Sequence, residues 1–202
     1  VSCHLGGSSS LAAIQDGVAV DTSFGISPQS GLPHNNRVGD IDSFAVLYMM
    51  KKLGLDADAM ARLLASESGL AGLSGASGDV RDIVQAAEAG DRRAQLTLGV
   101  FVESIRHYLG AFIVKLGGLD VLTFSGGIAE NNPGLRAACC SGLGELGIEI
   151  DAVRNADLRA EGRISAERSR VAVWVVPANE ESVVARAVAP VLSVNRPARP
   201  PA

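Results

Sequence analysis

The sequence is poor in the residues that disulfide-stapled or zinc-bound domains require. It has three cysteines among 202 residues, at positions 3, 139 and 140, and two of them are adjacent. No CxxC pair and no Cys/His pair has the spacing of zinc ligands, and so few cysteines cannot form a disulfide framework. These absences argue against a small secreted protein stabilised by disulfide bonds, and they favour a reducing compartment such as the cytoplasm.

Aromatic residues, excess charge and long apolar runs are also scarce. Aromatic residues make up 4% of the chain against 47% hydrophobic residues, so the core must be mainly aliphatic. The formal net charge of -4 argues against a general nucleic-acid or acidic-membrane surface. No apolar run reaches the ~20 residues of a membrane span, and the first residues lack the pattern of a signal peptide. We therefore expect a soluble globular protein, with neither nucleic acid nor a membrane as partner.

The two common glycine-rich phosphate motifs are absent, because the sequence contains no GxxxxGK[ST] and no GxGxxG. Residues 119–134, LDVLTFSGGIAENNPG, instead predict a short buried strand, a glycine turn and the start of a helix. Such a turn can point backbone N–H groups and the positive end of a helix dipole at an anion such as phosphate. A tight strand-to-helix connection without any ligand is the more common explanation of an isolated glycine pair.

The start of the chain predicts two or three antiparallel strands. A loop of glycines and serines follows the first apolar segment, and Asp16-Gly17 is a strong hairpin signal between the later two. The apolar segments lie at 1–5, 11–14 and 18–22.

Residues 23–41 predict a long loop, because they have no periodicity and are dense in Gly, Pro, Ser and Asn. Loops of this length inside a compact domain are often functional. Arg37 is the only permanent cation of this loop, and its planar guanidinium suits a carboxylate or a phosphoryl group. An ion pair with Asp40 or Asp42 is an equally good structural explanation.

The rest of the chain predicts helices, then strand–helix units. Helical spacing gives helices over 42–53, 56–66, 79–89, 91–116, 131–146 and 182–192. The longest has a core-facing stripe formed by Leu96, Val100, Phe101, Ile105, Leu109, Phe112 and Ile113. We expect a glycine-dense loop at 68–78, strands at 148–150 and 171–176, and a disordered tail at 196–202. The 171–176 strand is continuously apolar, which predicts burial on both of its faces.

Six short motifs together resemble a known family. They are HLGGSSS at 4–10, DTSFGISPQSGL at 21–32, NNRVGDID at 35–42, GDVRD at 78–82, SGGIAEN at 125–131 and PANEE at 177–181. In order and spacing they resemble the acetate and propionate kinases, and the resemblance extends from Cys3 to about Val188. It implies an α/β fold, namely an actin-like ATPase (ribonuclease H-like) domain with a helical insertion.

The resemblance also implies a domain organisation. The chain looks like the C-terminal, nucleotide-binding half of such a kinase, with one domain at 1–194 and a tail at 195–202. Within that domain, 1–40 would hold the hairpins and the active-site loop, 41–118 the helical insertion, and 119–194 the β-α units. We expect the N-terminal half of the same protein and a second copy as partners, because the chain does not start with Met and the family pairs through this half.

The function that the resemblance implies is reversible transfer of the γ-phosphoryl group of ATP to acetate or propionate, giving an acyl phosphate and ADP, with Mg²⁺. On this resemblance Arg37 neutralises the carboxylate and the transferring phosphoryl group, Glu180 helps to hold Mg²⁺, and Pro28 borders the methyl group of the acid. The residues that would line the phosphates and the adenosine are His4, Gly6, Gly7, Ser8, Asp79, Val80, Arg81, Gly126, Gly127, Ile128 and Asn131. Ordinary capping of the last helix is the alternative role of Glu180.

The sequence departs from the family pattern, which leaves alternatives open. Gly7 stands where the family usually has Asn, Asn35-Asn36 stand where it has Gly-Thr, and Ala178 stands where it has Thr. The lost Asn removes a side-chain contact that a water or a serine could replace. One alternative is a nucleotide-binding or dimerisation module without catalysis. Another is a sugar kinase of the same superfamily, which would need an acidic base that a carboxylate substrate does not need.

Overall fold

The computed structural model describes residues 1–194, so the predicted tail lies outside the described residues. This part of the chain is a mixed α/β fold with a single sheet of six strands and with helices before and between the later strands. The strands are β1 Ser2–Leu5, β2 Ser9–Gln15, β3 Val18–Thr22, β4 Val121–Ser125, β5 Gly162–Arg163 and β6 Ala172–Val175. The helices are α1 Ser43–Leu53, α2 Ala57–Ser66, α3 Gly69–Ser74, α4 Val80–Glu88, α5 Arg92–Leu116, α6 Gly127–Asn131, α7 Pro133–Cys140, α8 Ala152–Asp157 and α9 Glu180–Val194.

The sheet has the strand order β3-β2-β1-β4-β6-β5. Strands β1, β2 and β3 are antiparallel, whereas β1, β4 and β6 are parallel to one another. Phe124 in β4 is paired with Cys3 on one side and with Val175 on the other. Because parallel strands end at the same edge of a sheet, the segments that follow β1, β4 and β6 lie next to each other. This edge is where the site forms.

The predicted opening hairpin is confirmed. Asp16 and Gly17 join β2 to β3 with φ angles of 52° and 80°. Positive φ at both central residues is the signature of a type I′ turn, whose twist matches the flanking strands. No helix or strand begins between β3 and α1, so the predicted loop at 23–41 is also confirmed.

Most predicted helix ends are confirmed by their caps. Asp42, Asp56, Asp79 and Asp91 each precede a helix and accept a backbone N–H of its first turn. Such a side-chain acceptor satisfies one of the four donors that a helix leaves free at its start. After the long helix, Gly117 closes the end with a left-handed φ of 72°.

The prediction of a loop at 68–78 is wrong in part, because α3 lies within it. Glycines disfavour helix in isolation, but here tertiary contacts decide the structure. Gly69 has a φ of +61°, and a Cβ on it would lie 2.2 Å from the carbonyl oxygen of His34. The main chain at residue 69 can approach the preceding loop this closely only because it has no side chain.

The predicted helix at 131–146 is also wrong in its extent. The chain enters α6 directly at Gly127, and Pro133 then forces a break, since the residue before a proline avoids helical angles. Asn132 accordingly has φ -126° and ψ 83°, and its side chain caps α7 by accepting the N–H of Leu135. Residues 148–150 form only an isolated bridge, from Ile150 to Ser165.

Strand β6 differs from the prediction of burial on both faces. Val173 and Val175 are buried, whereas Ala172 and Trp174 between them are partly exposed. The strand therefore has one buried face and one partly exposed face, and it lies in the sheet between β4 and the two-residue strand β5. The helix that follows is longer than predicted and continues through Pro190.

The long helix α5 packs against α3, α4, α7 and strand β2. Its buried side includes Phe101, Ile105, Leu109 and Phe112, as predicted, but Leu96 is 64% exposed. Within residues 1–194, α5 is the one helix whose length and composition would allow it to cross a membrane. A single helix of this kind is weak evidence for a membrane span, because core helices of other proteins meet the same criteria.

Candidate functional site

A cleft of about 690 Å³ opens at the carboxyl ends of β1, β4 and β6. It brings together the predicted phosphate-binding residues of the first loop, the glycine turn and the predicted metal ligand. Its lining residues are His4, Gly6, Gly7, Ser8, Gly126, Gly127, Ala178, Asn179, Glu180 and Glu181. Three segments far apart in the sequence therefore converge, as the parallel strands require.

His4 connects the strand ends to the predicted metal ligand. Its Nδ1 lies 3.1 Å from Ser125 Oγ, and its Nε2 lies 3.8 Å from Glu180 Oε1. The side chain of Glu180 is 80% exposed. A carboxylate in this position is open to a ligand in the cleft.

Arg37 is held by the glycine and serine loop rather than by an acid. Its Nη1 donates a hydrogen bond of 2.8 Å to Ser8 Oγ. The predicted alternative of an ion pair with Asp40 or Asp42 is wrong: Asp40 accepts a hydrogen bond from the Tyr108 hydroxyl, and Asp42 caps α1. Within residues 1–194 Arg37 forms no ion pair with an acidic side chain. Its charge is available to an anion.

The turn that carries Arg37 is fixed against α3. The carbonyls of residues 34–36 accept N–H groups from residues 68–71, with N···O distances of 2.8 to 3.0 Å. His34 N–H in turn donates to the Arg37 carbonyl at 3.1 Å. The backbone of Arg37 is therefore part of a hydrogen-bonded turn, although the loop has no regular secondary structure.

Asn35 occupies the space next to Gly7. Its backbone N–H donates to the Gly7 carbonyl at 3.5 Å, and its Nδ2 lies 3.7 Å from where a Cβ on Gly7 would be. Its Oδ1 is buried and has no hydrogen-bond partner in the described part of the chain. The side-chain amide of Asn35 thus lies beside Gly7, the position at which the family pattern has an asparagine.

His34 is a buried, neutral histidine behind the same turn. Its Nδ1 accepts the Ser9 N–H at 2.8 Å, which puts the ring proton on Nε2. Burial lowers the pKa of His34, and the charge of Arg37 lowers it further. The main chains of Ser30 and Pro28 partly oppose this lowering of the pKa, yet Nε2 makes no hydrogen bond within residues 1–194. Pro28 lies near the Arg37 turn but does not line the cleft.

The glycine turn uses its two glycines differently. Gly126 has a φ of +83°, and a Cβ on it would lie 2.5 Å from the Leu5 carbonyl oxygen. Its N–H donates to Glu130 Oε1 at 2.8 Å, so this N–H is not one of the unpaired backbone groups that the turn is expected to offer to an anion. Gly127 begins α6, is exposed, and has no atom within 4 Å of its Cβ position. Of the two glycines, Gly127 leaves bare backbone open to the cleft.

The predicted adenosine residues are only partly brought together. A second cavity, of about 680 Å³, is lined by Arg81 and Asn131 between α4, α5 and the start of α7. Arg81 Nη2 pairs with Asp79 Oδ2 at 2.5 Å, and the guanidinium lowers the pKa of Asp79 to about 2. Val80 is 3% exposed and packs in the core, so the prediction of ligand contact fails for its side chain. Ile128 is partly buried against the same core.

The side chains of the site could hold Mg²⁺ only if phosphate oxygens supplied further ligands. Within residues 1–194 no group of three His, Cys, Asp or Glu side chains is arranged to hold a metal ion. Mg²⁺ is commonly bound by one or two carboxylates together with substrate phosphates and waters. Glu180, exposed beside the glycine loop, fits that arrangement, whereas it is insufficient alone.

Three residues of the site are absent from the sequence predictions: His34, Asn35 and Glu130. The sequence contained a signal for one of them. Glu130 follows Gly126 by four positions, and on a helix that spacing folds a side chain back over the turn. Nothing in the pattern of the loop distinguishes His34 or Asn35 from their polar neighbours.

The sequence matches the model of the acetokinase family over residues 1–186. It is 46% identical to the acetate kinase of Dictyoglomus turgidum over 186 residues, covering 92% of this chain and 46% of that protein. It is 47% identical to the acetate kinase of Leifsonia xyli subsp. xyli over 184 residues, covering 91% of this chain and 46% of that protein. The chain therefore spans about half the length of the curated relatives that it matches.

Solved structures show the same similarity. The crystal structure of Porphyromonas gingivalis acetate kinase superposes with a TM-score of 0.90 at 37% identity, covering 95% of this chain and 48% of that chain. A propionate kinase from Francisella tularensis subsp. tularensis superposes with a TM-score of 0.85 at 33% identity, covering 92% of this chain and 47% of that chain. In both cases the matched region is about half of the solved protein.

Proposed function

The chain belongs to the acetokinase family, and we propose that it corresponds to the nucleotide-binding, C-terminal half of an acetate or propionate kinase. Such a kinase transfers the γ-phosphoryl group of ATP reversibly to a short carboxylate, giving an acyl phosphate and ADP. We assign the sheet to an actin-like ATPase domain, with the segment 41–118 as its helical insertion. The antiparallel β1–β3 unit followed by parallel β4 and β6 supports this assignment.

The observation that carries the proposal is the state of Arg37. Within residues 1–194 the Arg37 guanidinium has no carboxylate partner, and it donates a hydrogen bond to Ser8 Oγ, whose residue lines the glycine-rich cleft. Anions are the natural partners of such a group, and its planar fork can span two oxygens at once. In phosphoryl transfer, where side chains make few bonds, positioning and charge neutralisation are the main contributions of the protein.

The residues around Arg37 also indicate which class of molecule accepts the phosphoryl group. A hydroxyl acceptor needs a general base, whereas a carboxylate is already ionised at neutral pH. Arg37 lies beside Ser8 and Asn35, and Asp40 and Asp42 are occupied elsewhere. This arrangement supports acetate or propionate over a sugar. Pro28, near the Arg37 turn, is proposed to border the alkyl group of the acid.

The polyphosphate is proposed to lie in the 690 Å³ cleft. His4, Gly6, Gly7 and Ser8 form one wall of the cleft, and Gly127 opens the opposite wall. Glu180 would help to hold Mg²⁺, directly or through water. The ion supplies charge neutralisation for the phosphate oxygens when it is bound. Ser8 keeps Arg37 turned toward the transferring group, and Asn35 offers an amide next to Gly7.

The adenosine is proposed to extend from this cleft along α6 toward the cavity that Arg81 and Asn131 line. A five-residue helix is about 7 Å long, so its two ends can face the phosphates and the nucleoside of one ligand. The pairing of Arg81 with Asp79 leaves the outer face of the guanidinium exposed.

We further propose a homodimer, a cytoplasmic location, and docking with the N-terminal half of such a kinase. Support for an interface comes from α1, whose Phe44, Leu47 and Tyr48 are 78%, 60% and 64% exposed. Apolar side chains grouped in this way commonly mark contact surfaces. Light scattering should give twice the mass of one chain, and a monomer at high concentration would contradict the proposal.

Isothermal calorimetry with ADP tests the nucleotide site. We expect binding at micromolar to millimolar ADP, strengthened by Mg²⁺, while Mg²⁺ alone should give no heat because Glu180 is insufficient without phosphates. Folded protein that gives no heat at millimolar ADP would refute the nucleotide proposal. Binding without phosphoryl transfer in the full-length gene product would instead favour the non-catalytic module.

A further inference from the structure

The backbone hydrogen bonds that pair β4 with β6 end at the cleft, and beyond that point a side chain links the two segments. The Val176 N–H still donates to the Phe124 carbonyl at 2.8 Å. Beyond this point the segment after β4 enters α6 and the segment after β6 leads to α9, so the two segments separate. Glu130 Oε1 accepts the N–H of Gly126 at 2.8 Å and the N–H of Ala178 at 2.8 Å. One carboxylate oxygen thus joins the two walls of the cleft.

The helix that carries Glu130 is fixed from behind by a buried arginine. Arg136 is 1% exposed, and its Nη1 donates to the carbonyls of Ala129 at 2.6 Å and Glu130 at 2.9 Å. Its Nε and Nη2 donate to the side-chain and backbone oxygens of Asn155 in α8. These hydrogen bonds anchor the end of α6, and the Glu130 side chain reaches back from there over the glycine turn.

We propose that Glu130 is a positioning residue for the site. By holding the Ala178 N–H, it fixes the start of the segment that carries Glu180, two residues further on, relative to the turn at Gly126. We call these two hydrogen bonds, from the N–H groups of Gly126 and Ala178 to Glu130 Oε1, the clamp. The effect of the clamp on the binding of Mg²⁺ and nucleotide rests on the proposed function, whereas the clamp itself is a property of the fold. One carboxylate oxygen has two lone pairs, so it can accept both amides at once.

The clamp depends on an acceptor at the end of a side chain of this length. Glutamine keeps such an oxygen, with two lone pairs for two donors, whereas methionine has nearly the same length and lacks it. Glu130→Gln and Glu130→Met therefore separate acceptor geometry from simple packing. Glu145→Ala is a suitable control, because Glu145 is exposed and its carboxylate makes no hydrogen bond or ion pair within residues 1–194.

Amide hydrogen exchange followed by NMR tests the clamp without any activity measurement. In the unaltered chain the Gly126 and Ala178 amides should exchange slowly, although neither donates to a backbone carbonyl. Glu130→Met should speed their exchange by about tenfold or more, and Glu130→Gln by less than about threefold. Free exchange of both amides in the unaltered chain, which needs no variant to observe, would overturn the inference.

Titration with MgADP then tests the consequence for the site. We expect Glu130→Met to weaken MgADP binding by about threefold to tenfold while Glu130→Gln and Glu145→Ala stay near the unaltered value. A Gln variant as weak as the Met variant would overturn positioning and indicate direct use of the charge. Slow exchange of both amides in a chain that binds no ADP would support the clamp and refute the nucleotide proposal, so the two failures are distinguishable.

Discussion

Arg37 Nη1 and Ser8 Oγ lie 2.8 Å apart, joining two loops that are 29 positions apart in the sequence. This contact sets a fixed charge beside the first glycine loop without neutralising it. The donor is anchored through a turn whose carbonyls bind α3, and the acceptor follows the end of β1. Under the proposed function, this contact would pre-organise Arg37 for an anion in the cleft.

Replacing Arg37 tests its role in phosphoryl transfer. In the full-length gene product we expect Arg37→Ala to lower kcat by roughly 10²- to 10⁴-fold, because a charge aimed at the transferring group acts mainly in the transition state. ADP affinity and the melting temperature should change little. Arg37→Lys should recover little activity, since it keeps the charge and loses the planar fork. A kcat that stays within a few-fold would remove Arg37 from catalysis.

Two glycines of the cleft should respond differently to alanine. Gly126→Ala should destabilise the fold by more than about 2 kcal/mol, since left-handed φ alone costs about 1–2 kcal/mol and the new Cβ would meet the Leu5 carbonyl. Gly7→Ala should be nearly neutral, because its Cβ would find only Asn35 Nδ2, at 3.7 Å. Urea denaturation measures both values. Equal destabilisation by the two changes would contradict this account of the turn.

His34 should make the fold sensitive to mild acid. Its folded-state pKa is lowered below the ordinary 6.5, by burial and then by Arg37, so the unfolded state binds the proton more tightly. Stability should therefore be constant above pH 6.5 and fall as the pH drops below that value. His34→Asn keeps an acceptor for the Ser9 N–H and should flatten this part of the profile, measured by melting temperature. An unchanged slope would assign the acid sensitivity to other groups.

The cysteines should be inert while the chain is folded. Burial raises the pKa of Cys139 and of Cys140 to about 12, and it also raises the pKa of Cys3. Because the thiolate is the reactive species, a thiol reagent at pH 8 should label the native protein very slowly. In denaturant three groups per chain should react at once. Rapid labelling of one native thiol would show local opening around α7 or β1.

Much of the fold could be predicted from local patterns. The Asp16-Gly17 hairpin and the starts of the four helices near Asp42, Asp56, Asp79 and Asp91 depend on near neighbours in the chain, and these predictions are confirmed. The α3 helix and the break at Asn132 were missed. In α3 the contact of Gly69 with the His34 carbonyl overrides low helix propensity. At Asn132 the break follows from the restriction that Pro133 imposes on the preceding residue, which is a local effect.

For the site, local sequence was enough to identify the residue types available: a loop with one arginine, two glycine turns, and acids at the start of a helix. It also carried the family resemblance, because motif order is a property of the chain. The contacts that these residues make depend on the folded arrangement. Arg37 lies on Ser8 rather than on Asp40, and the Val80 side chain lies in the core. The first contact joins residues 29 positions apart and the second depends on helix packing, so neither is encoded in local spacing, whereas the contact of Gly126 with Glu130 spans only four positions.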